Sequence, residues 1–213
     1  MKLRKAPAKD TRTALLESAG ALFLAYGFEG VSIRQITEAA GSNVAAINYH
    51  FNGKTNLFRE VLTQRLDEIT HEKLAILQEL DKQQPAAGLK QILEAYIRSF
   101  FGSLASPDND RLMQIIYREM GPDAVASDLV ATRLIVPINQ AVQKSILKTC
   151  PDLDKDHVSH CVSSITGQVL HFIRARDILK KIRNSDQNHA FIENTVHHIT
   201  HFSLRGIGSN HHV

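Results

Sequence analysis

A chain of 213 residues, 43% hydrophobic and 22% charged, can bury a sizeable core. No apolar run approaches the ~20 residues that span a bilayer, and the opening MKLRKAPAKD lacks the apolar stretch of a secretory signal, so no membrane partner and a cytoplasmic location are expected. Two cysteines, Cys150 and Cys161, exclude a disulfide framework and are expected to be reduced, in or near the core.

The net charge of +3 is unevenly spread. Residues 1–60 hold eight Lys/Arg against five Asp/Glu, whereas residues 61–213 hold seventeen of each. Lys2, Arg4, Lys5, Lys9 and Arg12 face only Asp10 over the first twelve residues. Residues 1–9 therefore read as a basic flexible arm suited to phosphate.

Leu15, Ala19, Leu22, Phe23 and Tyr26 recur at helical spacing and predict a helix from Thr11 to Tyr26, with Gly27 as its stop. Ser32 with Gln35 has the form of a capping box, and Ile33, Ile36, Ala39 and Ala40 carry a second helix that Gly41 ends. Asn43 caps a third, from Val44 to about His50, in which Val44, Ile47 and Phe51 form the core face. Ala45, Ala46, Asn48 and Tyr49 fall on or beside the opposite face. Two helices joined by a short glycine turn are the helix-turn-helix pattern, whose second helix enters the major groove. The DNA-binding domain is expected over residues 10–53.

Lys54 opens a long connecting helix, residues 54–84, in which Leu57, Phe58, Val61, Leu62, Leu66 and Ile69 hold the period until Gln83-Gln84-Pro85. Some thirty residues make a rod of about 45 Å. Residues 85–213 are helical throughout, with helices expected over Gly88–Ser103, Arg111–Met120, Ser127 to about Cys150, Asp154 to about Arg174 and Asn188 to about Leu204. Ser106-Pro107-Asp108 reads as a turn, Gly121-Pro122 as a break, and Pro137 predicts a kink or a break. No alternating run predicts a strand, so the fold class is all-α.

At this point the run from Thr11 to Leu62, with "YGFEGVSIRQI", "EAAGSNVAAINYHF" and "GKTNLFREVL", resembles the DNA-binding domain of TetR/AcrR-type transcriptional regulators. The C-terminal part resembles one branch of that family through "YREMGPDAVASDLV" and "SSITGQVLHFIRAR". Two positions depart from the commonest form: Asn48 stands where many members have an aromatic, and Thr55-Asn56 where an acidic residue is common. The first bears on which bases are read, the second on the cap of the fourth helix. The resemblance implies a helical ligand-binding and dimerisation domain over residues 85–213. It also implies a homodimer paired through the last two long helices, each of which has a broad apolar face.

A lone Asn on a helix is ordinarily solvated, but on this motif Asn48 is expected to pair with adenine, with Ala45 and Ala46 against thymine methyls. Tyr49 and Lys54 are assigned to phosphate by chemistry and by family position, and Arg34 to phosphate or a base. Ser32 and Asn43 are caps whose polar groups can also meet phosphate. His50 is expected to pack in the turn.

Tyr96, Phe100, Phe101, Met113, Ile116, Tyr117, Gln168, His171 and Phe172 are candidates for a ligand pocket between helices. Aromatic and methionine residues at this spacing also build plain core; Tyr117, Gln168 and His171 are the polar members able to orient a ligand. His157, His160 and Cys161, and likewise His197 with His201, lie at helical spacings that share a face. Helical periodicity alone produces such sets, and neither has a closing ligand, so no metal and no cofactor is expected. HEKLA at His71 lacks the second histidine of a zinc-protease helix, and no Walker loop, GxSxG elbow or GxGxxG motif occurs.

The expected function is a DNA-binding transcriptional regulator, a repressor released from a palindromic double-stranded operator by an unidentified small-molecule inducer, and not an enzyme. Two other readings stand beside it. An all-helical enzyme or metal-binding protein would need a constellation that the sequence does not supply, and a regulator without a ligand would need a fully packed C-terminal domain.

Overall fold

The computed structural model describes residues 10–83, 86–102, 107–121, 124–182 and 188–208, and the regular structure among them is entirely helical. In chain order the helices are α1 (Thr11–Tyr26), α2 (Ile33–Ala39), α3 (Val44–Phe51), α4 (Lys54–Asp81), α5 (Leu89–Gly102) and α6 (Pro107–Glu119). After α6 come α7 (Ser127–Leu129), a π-helical segment (Val130–Ile135), α8 (Val136–Thr149), α9 (Lys155–Arg174), α10 (Arg176–Ile182) and α11 (Asn188–Gly208). The all-α expectation holds. Among the described residues no helix is long and apolar enough to cross a membrane.

The chain divides into two compact units. The first comprises the described residues within Met1–Glu68 and Pro107–Leu134, the second those within Ile69–Ser106 and Ile135–Val213. This division departs from the expected cuts at 53 and 84. It falls inside α4, and α6 belongs with the helix-turn-helix rather than with the rest of residues 85–213. Sequence patterning marks which faces are apolar but not which partner covers them.

In the first unit, Leu15, Ala19 and Phe23 of α1 are buried with Ile36 of α2, Ile47 and Phe51 of α3, and Leu57, Phe58, Leu62 and Leu66 of α4. Phe23 meets Phe58 edge-on with ring centres 5.2 Å apart, and Phe28 lies 4.9 Å from Phe58, close to the offset and edge geometries that aromatic rings prefer. α6 packs against α1. Two residues of the YREMGP segment act here. Glu119 is buried, and its Oε2 accepts from the Ala126 amide at 2.8 Å. The Arg118 guanidinium lies over Gly27, where a Cβ would come within 3.1 Å of its Nη1. Gly27 also has φ +71°, the left-handed region that favours glycine, and a Cβ there would press only on the flexible end of Arg118.

In the second unit, α5 packs on α8, α9 and α11, and α9 also packs on α8 and α11. Leu93, Ile97, Val142, Ile146, Val158, Val162, Val169 and Ile199 are fully enclosed. A few polar groups share this core. Tyr96 is buried with its hydroxyl 2.7 Å from Thr166 Oγ1, and Lys73 of α4 donates to Ser99. Cys150 and Cys161 are free and half-buried.

Several expectations need correction. α6 starts at Pro107, so Pro107 and Asp108 open a helix instead of making a turn, as suits a proline at the first helical position. α10 had no counterpart in the sequence reading. The interruption expected around Pro137 takes the form of a π-helical segment, Val130–Ile135, just before α8. Val44 is 48% exposed while Ile47 and Phe51 are enclosed, because the first turn of α3 is left uncovered on that side. The basic arm at 1–9 and the Gln84-Pro85 stop lie outside the described residues.

Candidate nucleic-acid interface

The site is built from caps. At the start of α2 the Ser32 Oγ accepts from the Gln35 amide at 3.2 Å, and Gln35 Oε1 accepts from the Ser32 amide at 2.8 Å, a complete capping box. At its end the Ser42 amide donates to Thr37 O at 2.8 Å and the Gly41 amide to Glu38 O at 3.2 Å, the two bonds of a Schellman closure. Gly41 supplies the φ of +61° that this closure requires. Asn43 is extended, and its Oδ1 accepts from the Ala46 amide at 3.0 Å, opening α3. The turn between the helices is thus fixed at both ends by hydrogen bonds.

On α3, Ile47 and Phe51 anchor the helix, and Val44, Ala45, Asn48 and Tyr49 form one exposed strip, with Tyr49 at 85% exposure. The Tyr49 ring stands edge-on to His50 at 4.9 Å. α3 ends at Asn52 in the left-handed region, followed by Gly53 at φ +111°, so α4 starts at once with Lys54. A concavity of about 720 Å³ opens beside the strip, lined by Thr11 and Ala14 of α1, Gly41 and Asn43 of the turn, and Ala45, Ala46 and Tyr49 of α3.

The candidates divide accordingly. Asn43, Ala45, Ala46 and Tyr49 border the concavity, and Asn48 sits on the exposed strip. Ser32, Arg34 and Lys54 are not among its lining residues. Ser32 is committed to its cap, and Arg34 Nε pairs with Glu38 Oε1 at 2.8 Å. The Lys54 ammonium rests 4.2 Å over the Phe28 ring. Arg12, counted with the basic arm, instead pairs with Glu60 and lies 5.1 Å over the Phe51 ring, tying α1 to α3 and α4. The sequence reading missed Val44 on the exposed strip and Thr11 on the rim. An N-terminal helix residue next to a basic arm was the available signal for Thr11.

The pocket candidates do not fall in one unit. Tyr96, Phe100, Phe101, Gln168, His171 and Phe172 belong to the second unit and Met113, Ile116 and Tyr117 to the first. Tyr96 and Ile116 are buried, Phe100, Met113, Tyr117, Gln168 and Phe172 half-buried, and His171 exposed. Tyr96 stacks edge-on with Phe100 at 5.2 Å. Burial pushes the Tyr96 phenol up to about 12, partly opposed by its hydrogen bond with Thr166, so it stays a neutral hydroxyl.

A three-helix head with a capped turn and an exposed strip of small residues, an amide and a phenol defines a helix-turn-helix DNA-binding transcriptional regulator. Residues 15–61 match the model of the bacterial regulatory proteins of the tetR family. Residues 89–207, more than half of the chain, match that of the C-terminal domain of the HTH-type transcriptional dual regulator CecR. The chain belongs to the TetR family, in the branch with the CecR-type C-terminal domain. That family consists of regulators that bind DNA and dimerise, not of enzymes.

Among its relatives, the HTH-type transcriptional regulator TtgW of Pseudomonas putida is 28% identical over 138 residues, 65% of this chain and 93% of TtgW. The repressor AcnR of Corynebacterium glutamicum is 41% identical over 49 residues, 23% of this chain and 26% of AcnR. A solved structure from Mesorhizobium loti assigned to the TetR family superposes with TM-score 0.70 at 14% identity, covering 94% of this chain and 98% of that one. At that identity the likeness concerns the fold.

Proposed function

We propose that the protein is a homodimeric repressor that holds a palindromic operator through its two α3 helices and leaves it when a small-molecule inducer binds. The observation that carries the DNA-reading part is the exposed strip of α3 on a turn hydrogen-bonded at both ends. Ala45 and Val44 offer methyl groups to thymine, and Asn48 offers a donor and an acceptor to adenine. Tyr49 and Lys54 take phosphate, joined by Arg34 where its pair with Glu38 opens, and Ser32 and Asn43 present their cap groups beside the backbone. Repression is supported by the name that AcnR carries. CecR is called a dual regulator, which favours a second reading in which the same head also activates.

Dimerisation runs through α9 and α11, the last two long helices, and is supported by the exposed Phe202 on α11. The inducer site is placed among the helices that carry Tyr96, Phe100, Gln168 and Phe172, where the Tyr96 hydroxyl offers a neutral polar contact in an apolar core. An inducer that favours a state unable to match both half-sites shifts the population away from DNA. The protein acts in the cytoplasm, where bacterial DNA lies.

Selection of binding sites from random duplexes by the purified protein tests the reading. The expected product is an inverted repeat with half-sites about one helical turn, ~34 Å, or a multiple of it apart. Recovery of an asymmetric single site, or of no consensus, would overturn it.

A further inference from the structure

Outside the DNA-binding head, α11 carries His197, His198 and His201, all exposed. His197 and His201 are one turn apart, and their ring centres lie 4.2 Å from each other, inclined by 37°. His198 is turned elsewhere, 6.1 Å from the Phe172 ring and 6.4 Å from Phe202.

The 4.2 Å separation has a chemical meaning. An imidazole nitrogen binds a late transition ion at ~2.0–2.1 Å, which puts the ring centre about 3.1 Å from the ion. Two such rings at the right angle of square-planar or octahedral coordination lie about 4.4 Å apart, and at the tetrahedral angle about 5.1 Å. The 4.2 Å between the ring centres is nearer the right-angle spacing than the tetrahedral one. Both side chains are exposed, so an ion reaches them from solvent, and solvent fills its remaining positions. Among the described residues no group of three or more His, Cys, Asp or Glu is placed to hold a metal, so the site is a two-imidazole chelate and not a closed zinc cage.

We propose that His197 and His201 form a chelating site for one divalent late transition ion of right-angle geometry, of the nickel or copper class, on each chain. The ion clamps two successive turns of α11. Because α11 is one of the two helices through which the proposed dimer forms, such an ion becomes an input to the regulator separate from the inducer. The site itself stands on the two side chains and does not depend on the DNA-binding reading.

Calorimetric titration of the full-length protein with Ni²⁺ tests this. Wild-type protein is expected to show a tight phase of one ion per chain. His197→Ala and His201→Ala each weaken that phase by about a hundredfold, since the second arm of a chelate acts at high effective concentration. His198→Ala leaves it in place. Ni²⁺ is also expected to raise the thermal midpoint of the wild type and of His198→Ala but not of the other two, because the ion binds the folded pair. All three positions are exposed, and far-UV circular dichroism verifies that the variants fold. A tight phase that survives both pair substitutions, or that His198→Ala removes equally, would overturn the assignment.

Discussion

Lys73 and Ser99 are joined twice: the Lys73 ammonium donates to the Ser99 carbonyl oxygen at 2.8 Å and to its hydroxyl oxygen at 3.0 Å. It also lies 3.9 Å over the Phe100 ring, and the residue is only 7% exposed. All of these partners are neutral. Burial pushes the Lys73 ammonium down to about 7, with the charge of Glu72 opposing the fall. In the unfolded chain a lysine titrates near ~10.4, so between about 7 and that value the unfolded state binds more protons, and stability rises with pH. Below pH ~7 both states are protonated and the full penalty of burying the charge is present. The span is on the order of 4 kcal/mol. Urea unfolding from pH 6 to 10 checks the sign, and Lys73→Met is expected to flatten the profile and to stabilise the protein at pH 7.

Gly41 stands at φ +61°, and a Cβ there would meet nothing within 4 Å. Gly41→Ala is therefore expected to cost about 1–2 kcal/mol from the left-handed backbone alone, with Gly41→Asn costing less. Denaturant midpoints rank the three proteins. Equal losses for Ala and Asn would show that the cost lies elsewhere.

Asn48 and Lys54 are expected to separate reading from holding. On the selected operator Asn48→Ala loses about 1–3 kcal/mol and little on scrambled DNA. Lys54→Ala weakens both and lowers the salt slope by about one. Since Lys54 also covers Phe28, the conservative Lys54→Met keeps part of that contact while removing the charge. Fluorescence anisotropy at several salt concentrations separates these outcomes.

Phe202 is 61% exposed on α11, so its replacement leaves the core intact. Phe202→Asp is expected to give folded monomers at micromolar concentrations where the wild type sediments as a dimer. Unchanged sedimentation would remove Phe202 from the proposed interface.

Thr200, also on α11, is fully buried, and its hydroxyl has no hydrogen-bond partner among the described residues. Thr200→Val removes a desolvated polar group at constant shape, so thermal unfolding is expected to be unchanged or raised by about 1 kcal/mol of stability. A loss of comparable size would mean that the hydroxyl is bonded in solution.

The head was legible because its signals are local. Ser32, Gln35, Gly41 and Asn43 each specify a cap or a turn by their own chemistry, and the structure uses all four in that way. Val44 failed because an eight-residue helix places its first turn at the edge of its support, where period alone does not decide burial. α10 was missed because it is short and leaves Ile178 and Ile182 exposed, so no core face announced it. The grouping of α6 and α7 with the head rests on contacts distant in sequence, such as α6 against α1, Arg118 over Gly27, and Arg59 with Asp128 of α7 at 2.6 Å. Those pairings are tertiary, and no periodicity encodes them. Apart from Val44, the exposed strip of α3 could be listed residue by residue from the sequence, whereas the occupation of Arg34 by Glu38 and of Lys54 by Phe28 needed coordinates.

The widened turn at Val130–Ile135 pairs its amides with carbonyls five residues back instead of four, and Pro137, two residues beyond it, has no amide to donate. The rest of that helix, from Ile138 to Ile146, is anchored by enclosed side chains. Deuterium should thus enter the amides of 131–136 well before those of 142–146, marking a spot where the backbone breathes within an otherwise cooperative helix. That spot coincides with the point, between Leu134 and Ile135, where the chain leaves the first compact unit for the second.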